Sequence, residues 1–150
     1  MNEPDIPRNT LTIPNPYTLQ DAEQFYDKDT SWQELNNLQK DWSIRDGESL
    51  IGGIGMMYNH GMDSHKTEIG YWLASSHRGR GIITECIRSF CATIFERTDI
   101  VRIEAHVFAH NVPSCRALEK AGFLKEGYLH KGFKKHDVYL DAWLYAFVKD

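Results

Sequence analysis

Cysteine is sparse in this chain of 150 residues, and its three copies, Cys86, Cys91 and Cys115, form no CxxC pair. An odd number without that spacing excludes a disulfide framework and gives no zinc signature, so the three read as small buried side chains. No apolar run approaches the ~20 residues of a membrane span, and "MNEPDIPRNT" lacks the basic-then-apolar order of a signal peptide, which predicts a cytosolic or nuclear protein. Positive charge is also in deficit: 17 Lys and Arg against 21 Asp and Glu leave a formal net charge of -4. That balance argues against a general nucleic-acid binder, which needs a basic face to neutralise phosphates. Beyond "HKGFKKH" and the pair Arg78/Arg80 little is locally basic, and local positive charge on an acidic protein suits a small anionic ligand.

Proline is unevenly spread. Four of the five fall within the first 16 residues, which predicts an irregular leader over 1–16 and a single folded domain over 17–150. The 41% hydrophobic and 25% charged residues are the balance of a globular domain able to bury a core.

Along the chain, "TLQDAEQFY" predicts a helix with Thr18 as cap, Asp21 at the capping-box position and Leu19, Ala22, Phe25 and Tyr26 on one face. A weaker helical pattern covers "WQELNNLQK". "DWSIRDGESLIGGIGMMY" predicts a hairpin turning at Asp46-Gly47, with Gly52, Gly53 and Gly55 marking a bulge or a close backbone approach. "KTEIGYWLA" predicts a strand, "ITECIRSFCATIF" a helix with Ile83, Ile87, Phe90 and Ile94 at helical spacing, and "VRIEAHVF" a strand whose Arg102, Glu104 and His106 alternate with apolar residues. "HNVPSCRALEKAGF" is a helix capped by Asn111, with Pro113 in the first turn and Gly122 as the stop; "FLKEGYL" and "DVYLDAWLYAFV" are closing strands. Tyr71, Trp72, Trp143 and Tyr145 are expected mainly in the core, although an aromatic can also line a pocket. The order implies an α/β domain with a mixed sheet.

The stretch "SSHRGRGIITECIRSF" places Arg78-Gly79-Arg80-Gly81 between a strand and a helix. Glycines there let the backbone approach a ligand, and the helix start offers N–H groups and the positive end of its dipole to a phosphate. A P-loop would need Gly-Lys-Ser/Thr and a dinucleotide fingerprint a third glycine, whereas position 84 is Thr.

The stretch resembles the pyrophosphate loop of the GNAT superfamily of acyl-CoA-dependent N-acetyltransferases, Arg/Gln-x-x-Gly-x-Gly/Ala, with five positions fitting and Ile83 in place of the final small residue. "RIEAHVFAHNVPSCRALEKAGFLKEGYL" is similar to the second conserved block of the ribosomal-protein N-terminal acetyltransferase (RimJ/RimL-like) branch, and "PYTLQDAEQF", "EIGYWL" and "DAWLYAF" look like that branch too. The resemblance runs from about Pro16 to Phe147. It implies a GNAT fold, a mixed and mostly antiparallel sheet flanked by helices, here with a shortened N-terminus because the branch normally has a further strand and helix before "PYTLQDAEQF".

The resemblance further implies direct acetyl transfer from acetyl-CoA to an amine, without a metal and without a covalent enzyme intermediate. Backbone groups of Arg78, Gly79, Arg80, Gly81, Ile82, Ile83 and Thr84 would cradle the pyrophosphate, and the strand edge at Leu73 and Ala74 would pair with pantetheine amides. Glu68 and Glu104 are the candidate bases, Glu68 preferred, with His106 able to substitute. The tyrosine that many relatives carry seven positions after the motif asparagine is Leu118 here, which leaves Ser114 as the hydroxyl for the departing thiolate. Ser114 and Asn111 have ordinary roles in the helix's first turn as well, and Asn111 is also implied to orient the pantetheine. His106 and His110 lie on a strand and its exit, where i,i+4 spacing does not converge on a metal. A protein α-amine is the favoured acceptor. A small-molecule amine, or a non-catalytic CoA-binding module, is the alternative, and the resemblance also admits a homodimer.

Overall fold

The computed structural model describes residues 2–26, 38–59 and 61–150. Among these, six strands form one sheet in the order β1-β2-β3-β4-β6-β5, where β1 is Asp41–Asp46, β2 Ser49–Tyr58, β3 Lys66–Leu73, β4 Arg102–Phe108, β5 Leu124–Lys135 and β6 Val138–Val148. The β3–β4 pair is parallel and the other described pairs are antiparallel, the mixed and mostly antiparallel sheet that was expected. Helices α1 (Asp5–Asn9), α2 (Leu19–Tyr26), α3 (Ile82–Arg97) and α4 (Val112–Ala121), with short 3-10 turns at Gly61–Asp63 and Ser75–His77, complete the described elements.

Alternation decides which face of the sheet is the core. On β4, Ile103, Ala105 and Val107 are buried while Arg102, Glu104 and His106 point the other way. The buried set packs against Ile87, Phe90, Cys91 and Ile94 of α3 and Cys115, Leu118 and Ala121 of α4, each row recurring at the three- and four-residue spacing of a helix face. Burial pushes the Cys91 thiol up to about 12, in keeping with a core rather than a reactive cysteine. Helix α4 starts and stops where its sequence says. Asn111 Oδ1 accepts from Ser114 N at 3.4 Å, Pro113 occupies the first turn, and Gly122 ends the helix with φ +105°.

The capping box of α2 forms as expected, Thr18 N and Oγ1 donating to Asp21 Oδ2 at 2.7 and 2.6 Å. Its apolar face is largely outside the core, with Leu19 77% exposed. The helix expected over "WQELNNLQK" lies outside the described residues except for its last three, of which Leu38 is buried and none is helical.

Two expectations need correction. Asp46 pairs with Ser49, so the hairpin loop is Gly47-Glu48 rather than Asp46-Gly47; glycine thereby takes the first loop position, where the backbone turns left-handed with φ +58°. The leader, expected to be irregular over 1–16, contains α1, and Ile6 within it is only 2% exposed. Proline density misled because Pro4 caps this helix and Pro7 lies in its first turn, where a missing N–H costs nothing. The segment is held from outside as well: Lys135 Nζ donates to the carbonyls of Pro7 and Thr10, and His110 Nε2 lies 3.0 Å from Asn9 Oδ1.

Candidate active site

The parallel ladder between β3 and β4 has three rungs, Lys66–Arg102, Thr67–Ile103 and Glu68–Glu104, and ends there. Past Glu68, β3 stays paired with β2 as far as Leu73, and past Glu104, β4 stays paired with β6 as far as Phe108, so each strand is held on its outer side and the two separate. A cleft of about 1860 Å³ occupies the gap, with Glu68, Tyr71, His106 and Ser114 in its lining.

At the fork, His106 Nδ1 stands 2.9 Å from Glu68 Oε1. His106 Nδ1 has no partner of good hydrogen-bond geometry among the described residues, and the contact becomes an ion pair when the imidazole is protonated. Contact with Glu68 raises the His106 pKa, burial opposes it, the charges of Glu68 and Glu104 add to the rise and Lys66 subtracts from it. Phe133 of β5 lies edge-on to the imidazole, with ring centroids 5.3 Å apart.

Glu104 is differently placed. Arg102 Nε donates to its Oε1 at 2.7 Å, Lys66 Nζ is 3.8 Å from Oε2, and the same Arg102 holds Glu126 through both terminal nitrogens. The fork therefore brings Glu68 and His106 to the cleft and commits Glu104 to an ionic network.

Across the gap, from the core side, Tyr71 Oη is 2.6 Å from Ser114 Oγ, and burial raises the phenol pKa so that Tyr71 keeps its proton. Tyr71, expected mainly in the core with a pocket-lining place as the alternative, takes both: its ring packs on the core and its hydroxyl reaches the cleft. The parity it shares with Ile69 and Leu73 signalled an inward side chain, but nothing local signalled Ser114 opposite it. Trp72 lines the cleft from the other face of β3, and Tyr145 and Leu118 are fully buried.

At the far end of β3, a short 3-10 turn, Ser75–His77, leads into Arg78-Gly79-Arg80-Gly81 and then α3. Gly79 and Gly81 have φ +76° and +79°, and a Cβ on either would meet nothing within 4 Å. These glycines are required by backbone conformation, and the space above them is open. No side chain caps the start of α3, leaving its first N–H groups to an anion. The arginines brace the loop more than they project from it: Arg78 Nε donates to Leu73 O at 2.9 Å and Arg80 Nη2 to Ser76 O at 3.2 Å. Arg78 also meets Asp5 Oδ2 at 3.1 Å, while Glu3 accepts from Ser75 N at 2.8 Å, contacts from the leader that the sequence did not suggest. Of the expected pantetheine partners, Ala74 already donates its N–H to Ile51 O and Leu73 shares its carbonyl with Arg78; the β3 edge from Ile69 to Leu73 has no strand partner on the β4 side among the described residues.

A sequence profile described as the acetyltransferase (GNAT) domain matches residues 1–124. The chain belongs to the GNAT acetyltransferase family. Among individual relatives of this GNAT domain, probable N-acetyltransferase YjcK of Bacillus subtilis is 36% identical over 123 residues, covering 78% of this chain and 67% of that protein. The ribosomal-protein-serine acetyltransferase of Escherichia coli is 33% identical over 104 residues, 69% of this chain and 57% of its own length. In fold, the GNAT domain is similar to RimL, a ribosomal L7/L12 α-N-protein acetyltransferase solved with coenzyme A, at TM-score 0.78 and 21% identity over 93% of this chain and 78% of that one.

An acetyltransferase of this family must hold an acyl thioester, and the described residues fit one. The open glycine loop, the uncapped start of α3 and the unpartnered β3 edge lie in sequence along one wall of the cleft, and that wall leads to the two side-chain pairs at the fork.

Proposed function

We propose that this GNAT acetyltransferase moves the acetyl group of acetyl-CoA to the α-amine of a protein N-terminus. The reading rests on one observation, the meeting of a carboxylate–imidazole pair and a hydroxyl pair at the fork of β3 and β4. Reaction of a protonated amine with a thioester releases one proton to the medium and leaves another on sulfur. Glu68, with His106 beside it, takes the first from the ammonium, and the freed nitrogen attacks the thioester carbonyl. Ser114 donates to the sulfur as negative charge builds there, held at its post by Tyr71 and by the Asn111 cap. Backbone N–H groups from Gly79 to Thr84 receive the pyrophosphate; that of Arg78, expected to join them, already donates to Ser75 O at 3.2 Å.

Glu104 acts at one remove in this scheme, orienting Arg102 and Lys66 beside the base. An α-amine, with a pKa near 8, gives up its proton more readily than a lysine near 10.4, and the match to a ribosomal-protein-serine acetyltransferase supports that acceptor.

The test is release of free thiol from acetyl-CoA with peptides carrying a free or a blocked α-amine. Thiol should appear with the free peptides alone. Release with small amines only would overturn the acceptor assignment, and a Gly81→Val variant that kept the wild-type thermal shift in acetyl-CoA would overturn the loop assignment.

A further inference from the structure

Beyond Glu68 the cleft runs across the sheet towards β1 over a floor almost without side chains. Gly55 and Gly70 are cross-strand partners, and Gly53 lies opposite Trp72 on the same face. Space above Gly70 is open, while the Trp72 indole leans over Gly53 with Nε1 2.8 Å from where a Cβ would stand. At Gly55 the place of a side chain is taken by Asp41, its register partner on β1, whose Oδ1 lies 1.9 Å from the missing Cβ. Glycine at 55 is what allows this carboxylate to lie down on the sheet.

Asp41 lines the same cleft as Glu68 and is partly buried, and its carboxylate has no hydrogen bond or ion pair among the described residues. Burial raises its pKa, and only the nearby charge of Lys40 works against that. Partial desolvation of a carboxylate with no partner is unfavourable in the free protein and is reversed by a ligand that brings a cation. Two strand spacings of ~4.8 Å and two residues of ~3.4 Å rise put Asp41 and Glu68 roughly 12 Å apart at Cα, the span of a few residues of extended peptide.

We propose that Asp41 binds a second positive charge on the acceptor, so that the site selects protein N-termini with Lys or Arg among their first few residues. The proposal rests on the α-amine reading above. The reacting nitrogen is set at Glu68, the peptide crosses the open floor at Gly70 beside Trp72, and the basic side chain meets Asp41.

The experiment compares peptides identical except for Lys, Gln or Glu at the third position, together with spermidine, in the wild type, Asp41→Asn and Gly55→Ala. Wild-type kcat/KM should favour the Lys peptide over the Gln peptide by ~10-fold, the factor for one charge-assisted contact, and disfavour the Glu peptide. Asp41→Asn, which keeps the shape, should bring the Lys/Gln ratio near one. Gly55→Ala should do the same, because its methyl group must displace the carboxylate, and circular dichroism checks that this variant folds. Peptide acetylation without preference, or a preference unchanged in Asp41→Asn, would overturn the Asp41 subsite and leave the α-amine reading standing. Acetylation of spermidine alone would overturn the α-amine reading; its KM would then rise in Asp41→Asn if the carboxylate binds the second cation, and an unchanged KM would remove the subsite too.

Discussion

Tyr71 Oη and Ser114 Oγ stand 2.6 Å apart, although 43 residues separate them in the chain. Strand β3 brings one hydroxyl to the fork from the core side, and the first turn of α4 brings the other. Asn111, by capping that turn, sets the direction from which Ser114 arrives. The pair joins a strand to a helix and at the same time leaves a polarised hydroxyl at the cleft wall.

Ser114→Ala should lower the single-turnover rate by ~100-fold with little change in acetyl-CoA Kd, because a bond to the departing sulfur strengthens only as charge develops. Tyr71→Phe should lower it less, by ~5- to 10-fold, since Ser114 survives without its partner. Single-turnover kinetics with a saturating acceptor measure both. Ser114→Ala at the wild-type rate would reduce the pair to a brace between β3 and α4.

The His106 pKa lies above its ordinary 6.5 because of the contact with Glu68. A histidine that binds its proton more tightly when folded contributes stability that is complete below the unfolded pKa and fades as pH rises through the folded one. The gap in Tm between the wild type and Glu68→Gln should therefore be widest under mildly acidic conditions and narrow above neutrality. Titration of the His106 ring by NMR should give a midpoint above 6.5 in the wild type and a lower one in Glu68→Gln. Equal midpoints would show that the two side chains are not paired in solution.

Ile6 tests whether the leader belongs to the folded domain. At 2% exposure, Ile6→Ala should cost ~2–4 kcal/mol and lower Tm by roughly 4–16 °C. The Arg78–Asp5 contact is half exposed and solvent-screened, so Asp5→Asn should change Tm very little. An Ile6→Ala variant that melts with the wild type would mean that α1 is undocked in solution.

Much of the fold and part of the site were legible in the chain because they depend on neighbours a few residues away. Apolar alternation in "VRIEAHVF" sets which side of β4 is core, the i, i+3, i+4 spacing in α3 sets its buried face, and Asn111, Pro113 and Gly122 mark the ends of α4. The glycines at 79 and 81 announce a loop that no other residue enters without strain, which with the two arginines was enough to point to a phosphate.

Local pattern says which way a side chain points, and it is silent about what waits there. Glu68 and Glu104 are register partners with the same parity, and only the assembled sheet gives one to His106 and the other to Arg102 and Lys66. Tyr71 reaches Ser114, Glu3 and Asp5 reach the Ser75–Gly81 loop, and Asp41 lies over Gly55 because strands and helices distant in sequence come into contact. Partners in an ion pair or a hydroxyl pair are chosen by distances of a few ångströms between elements. Those distances exist only once the hydrophobic faces have packed, so the sequence by itself determined most of the elements and the glycine loop, and the tertiary structure decided which side chains meet at the fork.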